Sequence, residues 1–179
     1  MGRRQVVLLR GINVGGRRLV PMAALAEVLA QLGCTAVKTY IQSGNAVVTA
    51  PGEGLLEPEA IEAALAIRFG FAIPVAVRSS EAFAELVESN PFVARGVDPK
   101  MLHVVFMAEG LAPAQQAFLA SQAAGGEELA APGREIYLYL PGGTGRSRLA
   151  LACTGVKVPA GSTIRNWATV LKLGEMLEA

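Results

Sequence analysis

The first apolar run, Val6 to Leu9, lies between Gln5 and Arg10 and is too short for a helix, so residues 5–10 read as a buried strand. A glycine-rich segment, Gly11 to Gly16, follows. Pro21 then suits the first turn of a helix whose apolar positions Met22, Leu25, Leu29 and Leu32 keep three-to-four spacing up to Gly33. Val37, Thr39 and Ile41 alternate with Lys38, Tyr40 and Gln42, the period of a half-buried strand. Ser43-Gly44-Asn45 predicts a tight turn, and residues 46–50 return as the partner strand. Glu57-Pro58-Glu59 opens a second helix with acids at its positive end and Ile61, Leu65 and Phe69 on one face. Residues 73–77 form a further strand, and a short helix over 80–88 ends before Asn90-Pro91.

The second half repeats this order less cleanly. Residues 102–107 read as a strand and 113–122 as a helix, and residues 127–131 and 135–140 form a hairpin around Pro132-Gly133. A short helix over 146–152, a short strand over 162–165 and a last helix from Trp167 to about Leu177 complete it. The pattern therefore predicts an α+β protein of two βαββαβ halves, residues 1–97 and 98–179, with sheets covered by helices and no visible sequence identity between halves.

Composition narrows the class. With 179 residues, 52% apolar and 17% charged, the chain can bury a core without a metal or disulfide and is not a disordered segment. Arg3-Arg4 superficially resembles an export signal, but Arg10 interrupts the apolar run behind it and no small-residue cleavage site follows. Val6 stands where a myristoylation motif needs a hydroxyl, and no stretch of about 18 apolar residues exists to span a bilayer. A cytoplasmic protein without a membrane partner is expected. Cys34, Cys153 and the single histidine, His103, cannot supply the usual four ligands of a zinc site. The thiols lie among apolar residues and His103 inside an apolar strand, so all three read as structural, and a Ser-His-Asp triad is not expected. No metal and no cofactor are predicted.

Charge changes the picture most. The net charge is only +1, yet residues 1–20 hold Arg3, Arg4, Arg10, Arg17 and Arg18 with no acid. Residues 136–172 hold Arg146, Arg148, Lys157, Arg165 and Lys172, again with no acid, while residues 21–135 carry six basic against thirteen acidic side chains. Two acid-free basic segments suggest that both border one anionic site between the halves. The plainer alternative is surface ion pairing with the acidic middle, each pair worth little.

The motifs carry the same two-sided reading. Gly11-Ile12-Asn13-Val14-Gly15-Gly16-Arg17-Arg18 has the glycine spacing of a phosphate loop, but arginines replace its lysine and hydroxyl, and the helix starts too late for a nucleoside-triphosphatase. What survives is an anion site in which Gly15 and Gly16 offer backbone N–H groups and Arg10, Asn13 and Arg17 flank them, or else a plain strand-to-helix connection. Gln42, Ser43 and Asn45 serve a hairpin turn first and ligand contacts second. Gly142-Gly143-Thr144-Gly145 leads into Arg146, Ser147 and Arg148 at a helix start, where cations oppose the helix dipole unless an anion joins them. Arg165, Asn166 and Trp167 precede the last helix, where Asn166 is a natural N-cap and Trp167 a natural anchor to the core.

Taken together, Leu9 to Gly16, Val20-Pro21-Met22, Thr39 to Asn45, Gly145-Arg146-Ser147-Arg148-Leu149 and Arg165 to Val170 resemble the bacterial family called domain of unknown function 1697. The resemblance runs in order over nearly the whole chain. Gln42 stands where asparagine is expected and Arg148 where lysine is common. The resemblance implies a duplicated ferredoxin-like α+β fold. It implies no catalytic residue, substrate or cofactor.

Three functions follow as expectations. The first is binding of a phosphate-bearing ligand, either a nucleotide or other small molecule, or single-stranded nucleic acid, at the arginine- and glycine-lined segments. The RNP1 pattern of RNA-binding sheets is absent, although Tyr137 and Tyr139 share a strand face. The second is an enzyme acting on an anionic small substrate, for which no general base presents itself. The third is a non-catalytic interaction module.

Overall fold

Strand β1 (Arg4–Leu9) is buried from Gln5 to Leu9 without a break, so both of its faces are covered. In the computed structural model, which describes residues 2–179, β1 is the hub of a four-stranded sheet. β3 (Asn45–Thr49) and β4 (Val75–Ser79) flank it, both antiparallel, and β2 (Thr35–Tyr40) lies outside β3. Helices α1 (Met22–Gln31) and α2 (Pro58–Phe69) cover one face. There Val7, Leu9, Val48 and Val77 pack with Leu25, Leu29, Ile61 and Leu65, the helix positions expected from the spacing. Val6, Leu8 and Val47, on the opposite face, are also fully buried.

α3 (Ser80–Glu88) leads through two short 3-10 turns, Val93–Arg95 and Pro99–Met101, to a second four-stranded sheet. That sheet comprises β5 (Leu102–Phe106), β6 (Glu128–Ala130), β7 (Glu135–Tyr139) and β8 (Thr163–Asn166) in the order β6-β7-β5-β8. α4 (Pro113–Gln122) and α5 (Arg148–Ala152) are its crossover helices, and α6 (Trp167–Glu178) ends the chain. Val105, Leu119, Ile136, Leu138 and Leu149 form its core on one side. The strand order and antiparallel pairing are those of the first sheet, and the protein is a duplicated ferredoxin-like α+β fold. Two units separate, one holding the described residues up to Glu85 with Leu173–Ala179 and the other Leu86–Lys172, so their boundaries fall inside α3 and α6.

The duplication holds residue by residue. Val6 pairs with Val47 on one side and Arg78 on the other; Val104 pairs with Tyr137 and Arg165. Leu9 donates its N–H to the Gly44 carbonyl at 2.8 Å, and Met107 donates to Arg134 at 2.9 Å. On this register Val6-Val7 matches Val104-Val105, and the buried arginines Arg78 and Arg165 match each other, identities too sparse to be seen in the linear sequence. Ser79 and Asn166 follow those arginines, and each side chain accepts a backbone N–H in the first turn of the next helix, from Ala82 at 3.2 Å and Thr169 at 2.8 Å. The repeating unit is therefore βαββαβα.

Two strands are displaced by two residues from the periodic expectation, the others by one at most. The alternation runs on through Gln42, but β2 stops at Tyr40 because Ile41 takes φ 47° and starts the turn. The strand expected over 73–77 is shifted to Val75–Ser79, since Pro74 has no N–H to give and Arg78 continues the ladder despite its charge.

Gln5 and His103 occupy equivalent positions, and each has a buried nitrogen, Nε2 and Nδ1 respectively, without a hydrogen-bond partner among the described residues. Burial pushes the His103 imidazole below its usual value near 6.5, offset in part by a backbone hydrogen bond involving Met101. The unfolded chain then binds more protons than the folded one between the depressed value and about 6.5. Stability is thus full above about pH 6.5 and falls as pH drops through that window. Replacing His103→Gln, the residue the first sheet uses there, is expected to flatten the pH 5–7 part of the stability curve measured by urea denaturation. Gly44, at φ 77°, has no room for a side chain: a Cβ there would meet Leu9 at 2.7 Å and Ile12 at 2.8 Å. Gly44→Ala is expected to cost roughly 2–4 kcal/mol in the same measurement. Gly15→Ala, strained only by φ 58° in open space, is expected to cost about 1 kcal/mol.

Candidate functional site

The β1–α1 connection is an ordered hairpin. Val14 and Arg17 form a bridge, the Arg17 N–H donates to the Val14 carbonyl at 3.1 Å, and Gly15 and Gly16 at the tip have φ 58° and 70°. Positive φ at both central residues is what a two-residue turn of this kind demands, so these glycines are explained by the turn itself. Asn13 holds the hairpin down. Its Nδ2 donates to the carbonyls of Val20 at 2.9 Å and Gln42 at 2.7 Å, and its Oδ1 accepts the Val20 N–H at 2.8 Å. Arg18 donates to the Ala72 carbonyl and lies over the Phe71 ring at 4.9 Å. Arg17 is exposed, and its guanidinium has no partner among the described residues. Arg10 is half-buried, its N–H donating to the Pro74 carbonyl.

The β2–β3 turn is equally committed. Asn45 is fully buried and its Nδ2 donates to the Tyr40 carbonyl and to the Ser43 hydroxyl, at 3.0 and 2.9 Å. Gln42 contributes its carbonyl to Asn13 and leaves its side chain exposed. In the first unit, then, Asn13, Gly15, Gly16, Ser43 and Asn45 shape one end of the sheet. Arg17 and the Gln42 side chain are exposed at that end, beside Val14, Leu19 and Ile41.

In the second unit, Ser147 is the N-cap of α5, its hydroxyl accepting the Ala150 N–H at 2.9 Å. Arg146 is exposed and has no partner among the described residues; Arg148 donates to Gln122 Oε1 at 3.2 Å. The two arginines line a cleft of about 360 Å³ with Thr144, Leu151, Thr154 and Ile164. Leu151 is 75% exposed beside buried Leu149 and Ala150, a split that a five-residue helix is too short to reveal through periodicity. Arg165 is buried instead, with Nη1 donating to Thr163 Oγ1 at 2.7 Å and to the Ile164 carbonyl at 2.8 Å. Desolvation lowers its guanidinium to about 10, still protonated at neutral pH. Asn166 caps α6 and Trp167 is buried, as their positions suggest. Both cysteines are free and buried, and burial together with Glu127 pushes the Cys153 thiol up to about 12, far from a nucleophile's range.

Among the described residues no group of three or more His, Cys, Asp or Glu side chains is placed to hold a metal ion. Asn13→Gly keeps the positive φ and removes only the side-chain bonds, so it is expected to lower stability by roughly 1–3 kcal/mol. Arg17→Ala should stay within about 0.5 kcal/mol of the parent in the same urea titration.

A comparison with curated proteins finds no match. Among solved structures, a conserved bacterial protein from Streptococcus pneumoniae is similar over 99% of both chains, with 32% sequence identity and a TM-score of 0.78. The family described as a protein of unknown function, DUF1697, matches residues 3–137, from β1 through most of β7. The chain belongs to that family.

Proposed function

We propose that the protein binds a phosphate-bearing small molecule at the Gly145–Arg148 cleft. The observation that carries this reading is the state of Arg146 and Arg148. They are two residues apart on a cleft of about 360 Å³, in a segment without acids, and neither has a carboxylate partner among the described residues. Ion pairing with the acidic middle of the chain therefore does not explain them, whereas it does explain Arg3, which pairs with Glu81 at 3.2 Å. Guanidinium groups match phosphate oxygens in geometry as well as charge. Binding rather than turnover is the reading, because the cleft is lined by hydroxyls, guanidinium groups and apolar side chains, with no carboxylate, imidazole or thiol.

A small ligand is favoured over single-stranded nucleic acid. Tyr137 is 2% exposed and donates its hydroxyl to the Leu86 carbonyl at 2.9 Å, and Tyr139 lies against Phe92 and Arg95. The aromatic strand face that would stack bases is thus occupied. A bacterial, cytoplasmic setting accords with the family and with two free, buried cysteines, and no helix among the described residues is long and apolar enough to cross a membrane.

The test is thermal stability against pyrophosphate, nucleotides, phosphosugars and a short oligonucleotide, at low and high salt. A ligand at about a hundred times its Kd should raise the Tm by roughly 5–10 °C. R146A/R148A should retain the parent Tm and lose that rise. A flat response to every phosphate compound, or a double variant that binds as the parent does, rejects the proposal; a response to the oligonucleotide alone transfers it to nucleic acid.

A further inference from the structure

The cleft continues past Arg148. A second cavity of about 290 Å³, walled by Phe118, Ala152, Val156 and Lys157, adjoins it, and Arg148 and Leu151 line both cavities. The chemistry changes along this groove. One end holds the guanidinium groups of Arg146 and Arg148. The other holds Leu151, 75% exposed, and Val156, fully exposed, beside the Phe118 ring, over which the Lys157 ammonium sits at 4.2 Å.

Single exposed apolar residues need no explanation. Two of them on the rim of one cavity, next to an aromatic ring and contiguous with two arginines that lack acid partners, make an amphipathic groove. Its charged end presents two guanidinium groups without acid partners, and Leu151 and Val156 are exposed at its apolar end. Building on the anion-binding reading above, we propose that the groove takes a phosphate ester whose organic group is apolar or aromatic. The phosphate sits at Arg146 and Arg148, and the organic group lies on Leu151 and Val156, beside the Lys157-covered Phe118 ring. A nucleobase and a hydrocarbon chain both meet this requirement. Free phosphate and phosphosugars do not, because they leave the apolar end in water.

Calorimetric titration of the full chain at fixed salt with pyrophosphate, ribose 5-phosphate, adenosine 5′-monophosphate and octyl phosphate tests this. At least one of the last two should bind about tenfold or more tightly than ribose 5-phosphate. The tighter of them tells a nucleobase from a hydrocarbon chain. L151S/V156S, at two exposed positions and with its Tm checked against the parent, should bring that ester down to the affinity of ribose 5-phosphate. If ribose 5-phosphate binds as tightly as both esters, or if the double variant keeps their advantage, this inference is overturned while R146A/R148A-sensitive phosphate binding stands. If no phosphate compound binds at all, the anion-binding reading falls and this inference with it.

Discussion

A strand buried on both faces has no polar side to tell it which way round to sit. β1 and β5 are such strands, and for them hydrophobic alternation cannot select a register, since a one-residue slip exchanges one apolar face for another. The selection comes from the end of the ladder. Leu9 and Met107 each donate a backbone hydrogen bond into the turn that starts the neighbouring strand, and in the first sheet Gly44 lets that turn approach until Leu9 and Ile12 touch its α-carbon surroundings. Asn13 then ties the following loop to the same turn through the Gln42 carbonyl. The loops emerging from this end inherit their positions from the register fixed there.

The fate of each arginine follows from where the fold delivers it. Arg78 and Arg165 come off equivalent rungs and are drawn inside, where desolvation opposes Arg165's charge and local oxygen acceptors compensate it. Arg18 is spent on a carbonyl and an aromatic ring. Arg146 and Arg148 flank an N-capping serine at the start of a five-residue helix, so they are carried on the surface of a cleft with no acid to neutralise them. One acid-free segment can thus contain both structural and available cations, and net charge along the chain does not separate them.

That limit marks what was legible in the sequence. The order of elements was, because α1 and α2 have apolar positions at helical spacing, because α1, α2 and α4 each begin at a proline, and because the Ser43-Gly44-Asn45 turn has one local solution. The caps at Asn166 and the anchoring of Trp167 were legible for the same local reason. The roles of Asn13, Ser147 and Arg165 were not: a side chain's partners at separations such as Asn13 to Gln42 depend on how strands are paired, and identical residue types serve a turn, a cap or a ligand. The apolar part of the groove was hidden too, since Phe118 and Val156 are far apart in sequence and only folding places them on one wall.

The division of the chain has a bearing on biosynthesis. The last turns of α6 belong with the first unit: Leu173 is fully buried, Met176 accepts a hydrogen bond from Arg4 at 2.8 Å, and Gly174 lies beside the Phe83 ring. A ribosome delivers these residues only after it has made the second unit. The amino-terminal sheet can pair its strands while the remainder is still being translated, but its final apolar contacts and the partner for Arg4 arrive only after the entire second unit has been made. Completion of the first-made unit is therefore coupled to synthesis of the second, and a chain truncated within α6 would leave its defect in the unit whose strands were made before it.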